Sequence, residues 1–266
     1  MKTERQWTEE LLEAGRRLYA KDLATSTDGS MSVLLDDGTV LCTASGTNKG
    51  LMPAESLCKV DMTGKVIHAN KGYKPTAAVK THLIIYRERP DVRCVIHAYP
   101  RTAVTYAMAG LSLTMPAPLE ALNALGCVPC LPDGLPKTPE EEKTLGEWFK
   151  HFDAVLFSNI SAMTYGKDPF TAVNKMETVE MYAQMTSEMR RINGLQLSED
   201  KVRDFISRRA VKYADAHPAH LCVRELAGEI GCHTCKGGCK PVAPTAASED
   251  VIAELVTRVV KELQKN

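Results

Sequence analysis

Apolar residues recur at helical spacing near the start of the chain. Leu11, Leu12, Leu18 and Tyr19 fall on one face of a helix, since about 3.6 residues complete each turn. Thr8 precedes them, and a threonine at this place caps a helix because its hydroxyl accepts a hydrogen bond from a free backbone N–H. The pattern therefore predicts an opening helix that begins at Thr8.

Short apolar runs follow this helix, and they predict strands. Residues 31–35 and 40–43 flank the turn Asp36-Asp37-Gly38, which is typical of a β-hairpin. A further strand is predicted over 58–61, before the turn Thr63-Gly64. Loops at the ends of such strands are common places for binding groups.

The next segment combines a helix with a buried strand. Residues 79–86 predict a helix that Pro90 ends, and the apolar run 94–96 predicts the strand. A helix that leads into a buried strand implies a fold with layers of both kinds.

The following segment repeats this alternation. Helices are predicted over 116–125 and 139–151, with a proline-rich loop over 128–139 between them. A buried strand over 153–158 is followed by its hairpin partner over 162–165.

Asp168 and Pro169 predict the start of a long helix, because a capping residue is followed by proline in the first turn. The inward face of this helix is predicted to carry Val173, Met176, Val179, Ala183 and Met189.

The composition changes after residue 230, and this change divides the chain. Residues 1–230 are predicted to form the main domain, with helical pieces over 199–230. Residues 231–247 form a Cys-rich segment and a Pro/Ala linker, and residues 248–266 predict a C-terminal amphipathic helix.

The Cys-rich segment groups four residues of the types that bind metal ions: Cys232, His233, Cys235 and Cys239. Their spacing permits a second metal site or a reactive thiol pair. A zinc ribbon normally takes another pair of ligands from elsewhere, so a flexible reduced loop is the alternative.

The C-terminal helix carries an apolar stripe that requires a partner: Val251, Ile252, Leu255, Val256, Val259, Val260 and Leu263. One interpretation is that the stripe docks on the main domain. The other is that linker and helix resemble the targeting tails that carry enzymes into bacterial microcompartments, so that the helix would contact the shell.

Charge and hydropathy exclude several classes of function. The 33 basic and 33 acidic residues give a formal net charge of zero, so no overall field favours nucleic acid or an anionic membrane. No window approaches the roughly 18 apolar residues of a membrane span, and the start lacks the apolar run of a signal peptide. We expect a soluble cytoplasmic protein that binds neither nucleic acid nor membrane.

Six of the nine cysteines lie in apolar stretches, which indicates buried reduced thiols rather than disulfides. They are Cys42, Cys58, Cys94, Cys127, Cys130 and Cys222.

The most specific motif runs from Lys74 to Tyr99. A Lys-Pro turn leads into a helix that ends at Arg89-Pro90, and a strand that contains His97 follows. With the earlier hairpin, the Ser45-Gly46 loop and the strand that ends at Asn159, this order resembles the class II aldolase and adducin family. The resemblance is greatest to fuculose-phosphate and related sugar-phosphate aldolases.

The resemblance covers about residues 11–191. It implies a layered α/β/α domain with a largely antiparallel central sheet, a ring-shaped homotetramer with sites between subunits, and zinc as the family's metal ion.

The resemblance also assigns chemical roles to positions that are substituted in this chain. Ala78 stands at the position of the family's proton-transferring glutamate. Of three histidine positions that bind zinc in the family, His97 is retained, whereas Tyr99 and Ile160 replace the other two. We therefore expect no zinc at this main site, and His97 is either a remnant ligand or a hydrogen-bonded core histidine.

The family's phosphate-binding positions correspond to Gly29, Ser30, Ser45, Gly46, Thr76 and Ala77. Ser30 replaces an asparagine of the family pattern, and Ala77 replaces a serine. Thr76, Ser45 and Ser32 either hold an anion together with backbone amides or are ordinary turn residues.

These substitutions favour a non-catalytic member of the family, as adducin is. Such a protein would be oligomeric or cargo-associated and would bind a phosphorylated sugar ligand. The alternative is a working or impaired lyase that cleaves a ketose 1-phosphate to dihydroxyacetone phosphate and an aldehyde. A divalent ion normally stabilises the enediolate formed in this cleavage, so the replaced ligands weigh against the lyase.

Overall fold

A single sheet forms the centre of the structure, a computed structural model that describes residues 2–114, 118–132, 134–192, 194 and 201. The described strands are β1 (Ser30–Leu34), β2 (Val40–Cys42), β3 (Cys58–Val60), β4 (Val66–His68), β5 (Cys94–Ala98), β6 (Cys130–Leu131), β7 (Ala154–Phe157) and β8 (Ser161–Gly166). Their order across the sheet is β4-β3-β2-β1-β5-β8-β7-β6. Every neighbouring pair is antiparallel except β6 and β7, which are parallel.

Helices cover both faces of this sheet. They are α1 (Glu4–Ala20), α2 (Val79–Glu88), α3 (Arg101–Met108), α4 (Leu119–Leu125), α5 (Pro139–His151) and α6 (Pro169–Arg191). Buried residues of α1, α3, α4 and α6 form one core with one sheet face, and those of α2 and α5 form a second core with the other. The predicted α/β/α layering with a largely antiparallel sheet is therefore confirmed.

The opening helix begins earlier than the apolar spacing indicated. Thr3 is its cap, because the Thr3 hydroxyl accepts from the Gln6 backbone N–H while the Gln6 side chain accepts from the Thr3 backbone N–H. This reciprocal pair satisfies two otherwise free donors. The prediction that Thr8 is the cap was wrong, since Thr8 lies inside α1.

Most other elements follow the sequence prediction. The β1–β2 hairpin, β3, α2, β5, α5 and the β7–β8 hairpin occur where they were expected. Asp168 caps α6 by accepting from the Thr171 backbone N–H at 2.6 Å. The expected inward residues Val173, Met176, Val179 and Ala183 are buried, and Met189 is partly buried against the same core.

Four described elements were not predicted: β4, α3, the two-residue strand β6 inside the expected proline-rich loop, and a 3-10 helix over Ala54–Ser56. The proposed helical pieces over 199–230, the Cys-rich segment and the C-terminal helix lie outside the described residues, apart from Lys201. Five cysteines in the described ranges are buried thiols outside any disulfide, namely Cys42, Cys58, Cys94, Cys127 and Cys130. No helix in the described ranges has both the length and the apolar character to span a membrane.

Strand alternation positions the candidate site. Met31 and Val33 of β1 face the core beneath α1 and α6, so Ser30 and Ser32 face the opposite side, towards α2. His97 of β5 faces α2 in the same way, since its neighbours Ile96 and Ala98 lie in the first core. The sheet therefore presents two serines and a histidine to one helix.

Candidate functional site

His97 is held by hydrogen bonds on both ring nitrogens. Its Nε2 lies 2.5 Å from Oγ of Ser161 at the start of β8, and its Nδ1 lies 3.4 Å from Oγ of Ser30. Ser30 and His97 are directly opposite in the antiparallel β1–β5 pair. The strand register itself thus brings these three side chains together.

A buried chain of polar groups continues from Ser30 towards α2. Oγ of Ser30 lies 3.1 Å from Nε2 of His82, and Oγ of Ser32 lies 2.8 Å from Nδ1 of the same ring. Oγ of Ser32 also lies 2.7 Å from the Tyr86 hydroxyl. The pairs match because Ser30 and Ser32 share a strand face, while His82 and Tyr86 are one helical turn apart.

Both imidazoles are neutral at pH 7. Burial, and secondly the proximity of His97, lowers the pKa of His82 to about 3. Burial, and secondly the charge of Lys49, lowers the pKa of His97 to about 4. A neutral imidazole has one N–H donor and one acceptor, so each ring can be satisfied by the two hydroxyl groups that flank it.

The two positions expected to be replaced metal ligands, Tyr99 and Ile160, supply no imidazole. The Tyr99 ring lies 5.4 Å from the His97 ring, centroid to centroid, and burial together with the charge of Asp28 raises the pKa of the Tyr99 phenol. Ile160 has no donor atom, and its side chain packs against the core beneath α2 and α5. Asn159 adopts a positive φ of 59° in the turn that leads to Ser161.

These donors do not fit zinc. A catalytic zinc site generally has three protein ligands and one open position, whereas this cluster supplies two imidazoles, and both nitrogens of each are hydrogen-bonded to serine hydroxyls. In the part of the chain that the structure describes, no three His, Cys, Asp or Glu side chains are grouped to hold a metal ion. The Cys-rich segment that was predicted as a candidate second metal site, Cys232 to Cys239, lies outside that part.

Ala78 stands at the N-terminus of α2, where it is largely buried. Its methyl group neither accepts nor donates a proton. The backbone N–H of Val79 donates to the Thr76 carbonyl. The backbone N–H of Ala78 donates weakly to the Thr76 hydroxyl, at 3.4 Å. This turn therefore has a well-defined backbone and no acid–base group at Ala78.

The structure brings several expected phosphate-binding residues together. The backbone N–H of Thr76 donates to the Thr43 carbonyl, and that of Ser45 donates to the Lys74 carbonyl. The turn that contains Thr76 and Ala77 consequently lies beside the loop that contains Ser45 and Gly46. Ser45, Gly46 and Ala77 are exposed, as an anion-binding surface requires.

The third loop of this group contains Gly29, next to Ser30. Gly29 has a φ of +84°, and a Cβ at this position would lie 2.6 Å from the His97 carbonyl oxygen. Glycine therefore lets the loop pass close to β5. The expected positions Gly29 and Ser30 lie beside His97.

One residue of this region was missed in the sequence. Lys49 is only 2% exposed, and its Nζ donates to the carbonyls of Thr27 at 2.9 Å and Thr47 at 2.6 Å. The sequence feature that could have indicated Lys49 is its position three residues after Gly46, in the loop that contains Gly46. A buried lysine is uncommon, and nothing in local hydropathy marks this lysine as buried.

Comparison with known proteins identifies the family of the chain. Residues 9–187 match the model of the class II aldolase and adducin N-terminal domain. A 3-oxo-tetronate 4-phosphate decarboxylase from Pectobacterium atrosepticum is 30% identical over 181 residues, which are 66% of this chain and 81% of the relative.

Solved structures agree with this match. YgbL from Klebsiella pneumoniae, a candidate aldolase, epimerase or decarboxylase, is 25% identical with a TM-score of 0.70 and covers 77% of this chain and 100% of its own. L-fuculose-1-phosphate aldolase from Thermus thermophilus is 26% identical with a TM-score of 0.62 and covers 73% of this chain and 100% of its own. The chain belongs to the class II aldolase and adducin N-terminal domain family.

Proposed function

We propose that this protein is a non-catalytic member of the class II aldolase family that binds a phosphorylated sugar ligand. The observation that carries the proposal is the state of His97. Its Nε2 is engaged by Ser161 at 2.5 Å, and its Nδ1 faces Ser30. A ring held in this way offers no free lone pair directed towards an open pocket.

Two independent losses would each impair carbon–carbon bond cleavage. General acid–base groups contribute about 10²- to 10⁴-fold in rate, and Ala78 cannot supply such a group. Electrostatic stabilisation of the developing enediolate is usually the larger contribution, and the side chains of Tyr99 and Ile160 cannot complete a metal site with His97. The two losses together support a role other than family-type catalysis.

Binding of a phosphorylated ligand is supported by the loops that survive. Exposed residues at Ser45, Gly46 and Ala77 lie beside Thr76, and turns of this kind commonly bind anions. We expect the ligand's phosphate to bind at these loops. The names of the relatives are consistent with phosphorylated sugars or sugar acids as ligands.

Assembly forms the second part of the proposal. By resemblance to the family, we propose a homotetramer with ligand sites between subunits, and a cytoplasmic protein whose C-terminal helix, over 248–266, contacts a bacterial microcompartment shell. Sedimentation velocity at micromolar concentration tests the tetramer, and a monomer there would refute it. Co-purification of shell protein with the full chain, compared with a chain ending at residue 247, tests the helix.

The alternative function is a lyase that acts on a sugar phosphate. The 30% identical relative supports it, because its name describes decarboxylation of a 3-oxo acid phosphate, which also breaks a carbon–carbon bond beside a carbonyl group. In this alternative the chain would cleave a ketose 1-phosphate to dihydroxyacetone phosphate and an aldehyde, or release carbon dioxide from such an acid.

Metal content and turnover separate the two functions. Cys232 and Cys235 are first replaced, so that metal bound at the Cys-rich segment is not counted. The purified protein is then analysed for zinc by mass spectrometry. It is assayed for turnover with fuculose 1-phosphate and with 3-oxo-tetronate 4-phosphate. The proposal expects no turnover and no stoichiometric zinc. Zinc near one ion per chain together with turnover would establish the lyase.

A further inference from the structure

Lys49 joins the two glycine loops of the candidate phosphate site. Its Nζ donates to the Thr27 carbonyl, two residues before Gly29, and to the Thr47 carbonyl, directly after Gly46. One loop precedes β1 and the other follows β2, so both lie at the open end of the β1–β2 hairpin. One side chain thus links the two loops.

The charge of Lys49 is incompletely balanced. Among the described residues its ammonium group has two carbonyl acceptors but no carboxylate at ion-pair distance. Asp28 and His97 are its electrostatic neighbours, Tyr99 interacts with Asp28, and Tyr19 of α1 packs against the position of Gly50. A buried charge without a close counter-charge is unfavourable.

We propose that Lys49 is the buried cation that balances an anion bound at the loops of Gly29 and Gly46, so that anion binding and protonation of Lys49 are coupled. This inference rests on the proposed function, since it gives the phosphate-binding loops their positive charge. Lys49 is a positioning residue here, because it acts through the two backbone loops and through its field.

Coupling follows from the environment of the ammonium group. Burial lowers the pKa of Lys49 to about 8, although Asp28 opposes the shift. A bound dianion favours the charged form and raises this pKa. Binding above pH 8 therefore takes up a proton, and the affinity for the anion falls as the pH rises through 8 and the lysine becomes neutral.

Titration calorimetry with sodium sulfate tests the coupling in the full chain. Sulfate is the probe because it remains a dianion throughout the pH range of 7 to 9, so that any proton exchanged belongs to the protein. Measurements in two buffers of different ionisation enthalpy give the number of protons taken up. We expect weaker binding at pH 9 than at pH 7, with proton uptake at the higher pH.

Two substitutions of Lys49 distinguish the effect of its positive charge on anion binding from the effect of its packing. Lys49→Met should weaken sulfate binding at pH 7 about tenfold or more, the loss expected for a charged partner, whereas Lys49→Arg should retain binding at pH 9 without proton uptake. Lys80→Met removes the same formal charge from an exposed position on α2 and should behave as the parent. If Lys49→Met does not fold, two measurements still test the role of Lys49: sulfate binding by Lys49→Arg at pH 9, and proton uptake by the parent protein.

The outcomes distinguish this inference from the function on which it rests. Sulfate binding that is independent of pH and unchanged in both Lys49 variants would overturn the role of Lys49 and leave the anion site in place. Failure of the parent to bind sulfate saturably would overturn the anion site itself. Turnover together with stoichiometric zinc, measured separately, would overturn the non-catalytic function without changing the sulfate result.

Discussion

Oγ of Ser161 lies 2.5 Å from Nε2 of His97, and this contact joins β8 to β5 at the candidate site. By resemblance to the family, residue 161 corresponds to a glycine beside the third metal-binding histidine. The serine side chain supplies a hydrogen-bond partner to Nε2 of His97. The contact makes His97 a part of the packed sheet.

Removal of the Ser161 hydroxyl should destabilise the fold. Ser161→Ala leaves one polar atom of the partly buried His97 ring without its partner, at a cost of about 1–3 kcal/mol in the free energy of unfolding. Urea denaturation followed by circular dichroism measures the change. Ser45→Ala, at an exposed position, is the matched control and should change the free energy by less than about 0.5 kcal/mol. Equal stability of the two variants would contradict the buried contact.

Much of the fold was predictable because the apolar pattern is strong in the long elements. The β1–β2 hairpin follows from two apolar runs around an Asp-Gly turn, and the start of α6 follows from Asp168-Pro169. The cap at Thr3 was missed because it depends on a reciprocal contact with Gln6 rather than on apolar spacing.

The polar network of the site was less predictable for a different reason. His82 and Ser32 are far apart in sequence, and only strand register and helix packing bring them to 2.8 Å. The burial of Lys49 likewise depends on carbonyl groups of a second loop. Sequence spacing predicts which residues share a face of one element, but it does not predict which faces of different elements meet.

Acid should destabilise the protein through the buried His82 and the partly buried His97. The pKa of His82 is about 3 and that of His97 about 4 in the folded chain, both below the ordinary value of about 6.5. The unfolded chain therefore binds more protons below pH 6.5. The free energy of unfolding is therefore highest above pH 6.5, where both histidines are neutral in the folded and unfolded chain. It decreases as the pH falls from 6.5 towards 4, by up to about 1.4 kcal/mol per pH unit for each histidine.

Urea denaturation at pH 7, 6, 5.5 and 5 measures this slope. His82→Gln removes one titrating group and should lower the slope by up to about 1.4 kcal/mol per pH unit, although its overall stability will also fall. His68→Gln, at an exposed position on β4, is the control and should keep the slope of the parent. An identical slope in both variants would show that His82 does not remain neutral on folding.

Alanine at Gly46 should introduce backbone strain alone, whereas alanine at Gly29 should introduce backbone strain together with a steric clash. Both have positive φ, +84° and +73°, but an added Cβ meets the His97 carbonyl oxygen at 2.6 Å only at Gly29. Gly46→Ala should cost about 1–2 kcal/mol from the left-handed backbone. Gly29→Ala should cost more, and thermal denaturation of both variants in parallel gives the difference. A larger cost at Gly46 would contradict the close approach of Gly29 to β5.

Replacement of the substituted positions should restore a metal site if the correspondence with the family is right. Ala78→Glu, Tyr99→His, Ile160→His and Ser161→Gly together supply two imidazoles and a carboxylate and free Nε2 of His97 from its hydroxyl partner. Three histidines then meet the usual ligand number of a catalytic zinc site. We expect about one zinc ion per chain, measured by mass spectrometry after dialysis and by competition with a chromophoric chelator.

The informative control retains Ser161 and carries the other three replacements. Its His97 Nε2 remains 2.5 Å from the serine hydroxyl as in the parent, so zinc should bind more weakly than in the fourfold variant by about the strength of one hydrogen bond, roughly 1 kcal/mol or fivefold. Both proteins carry Cys232 and Cys235 replacements to exclude the Cys-rich segment. A fourfold variant that folds but binds no zinc would show that the correspondence of Tyr99 and Ile160 with the family's metal positions is wrong.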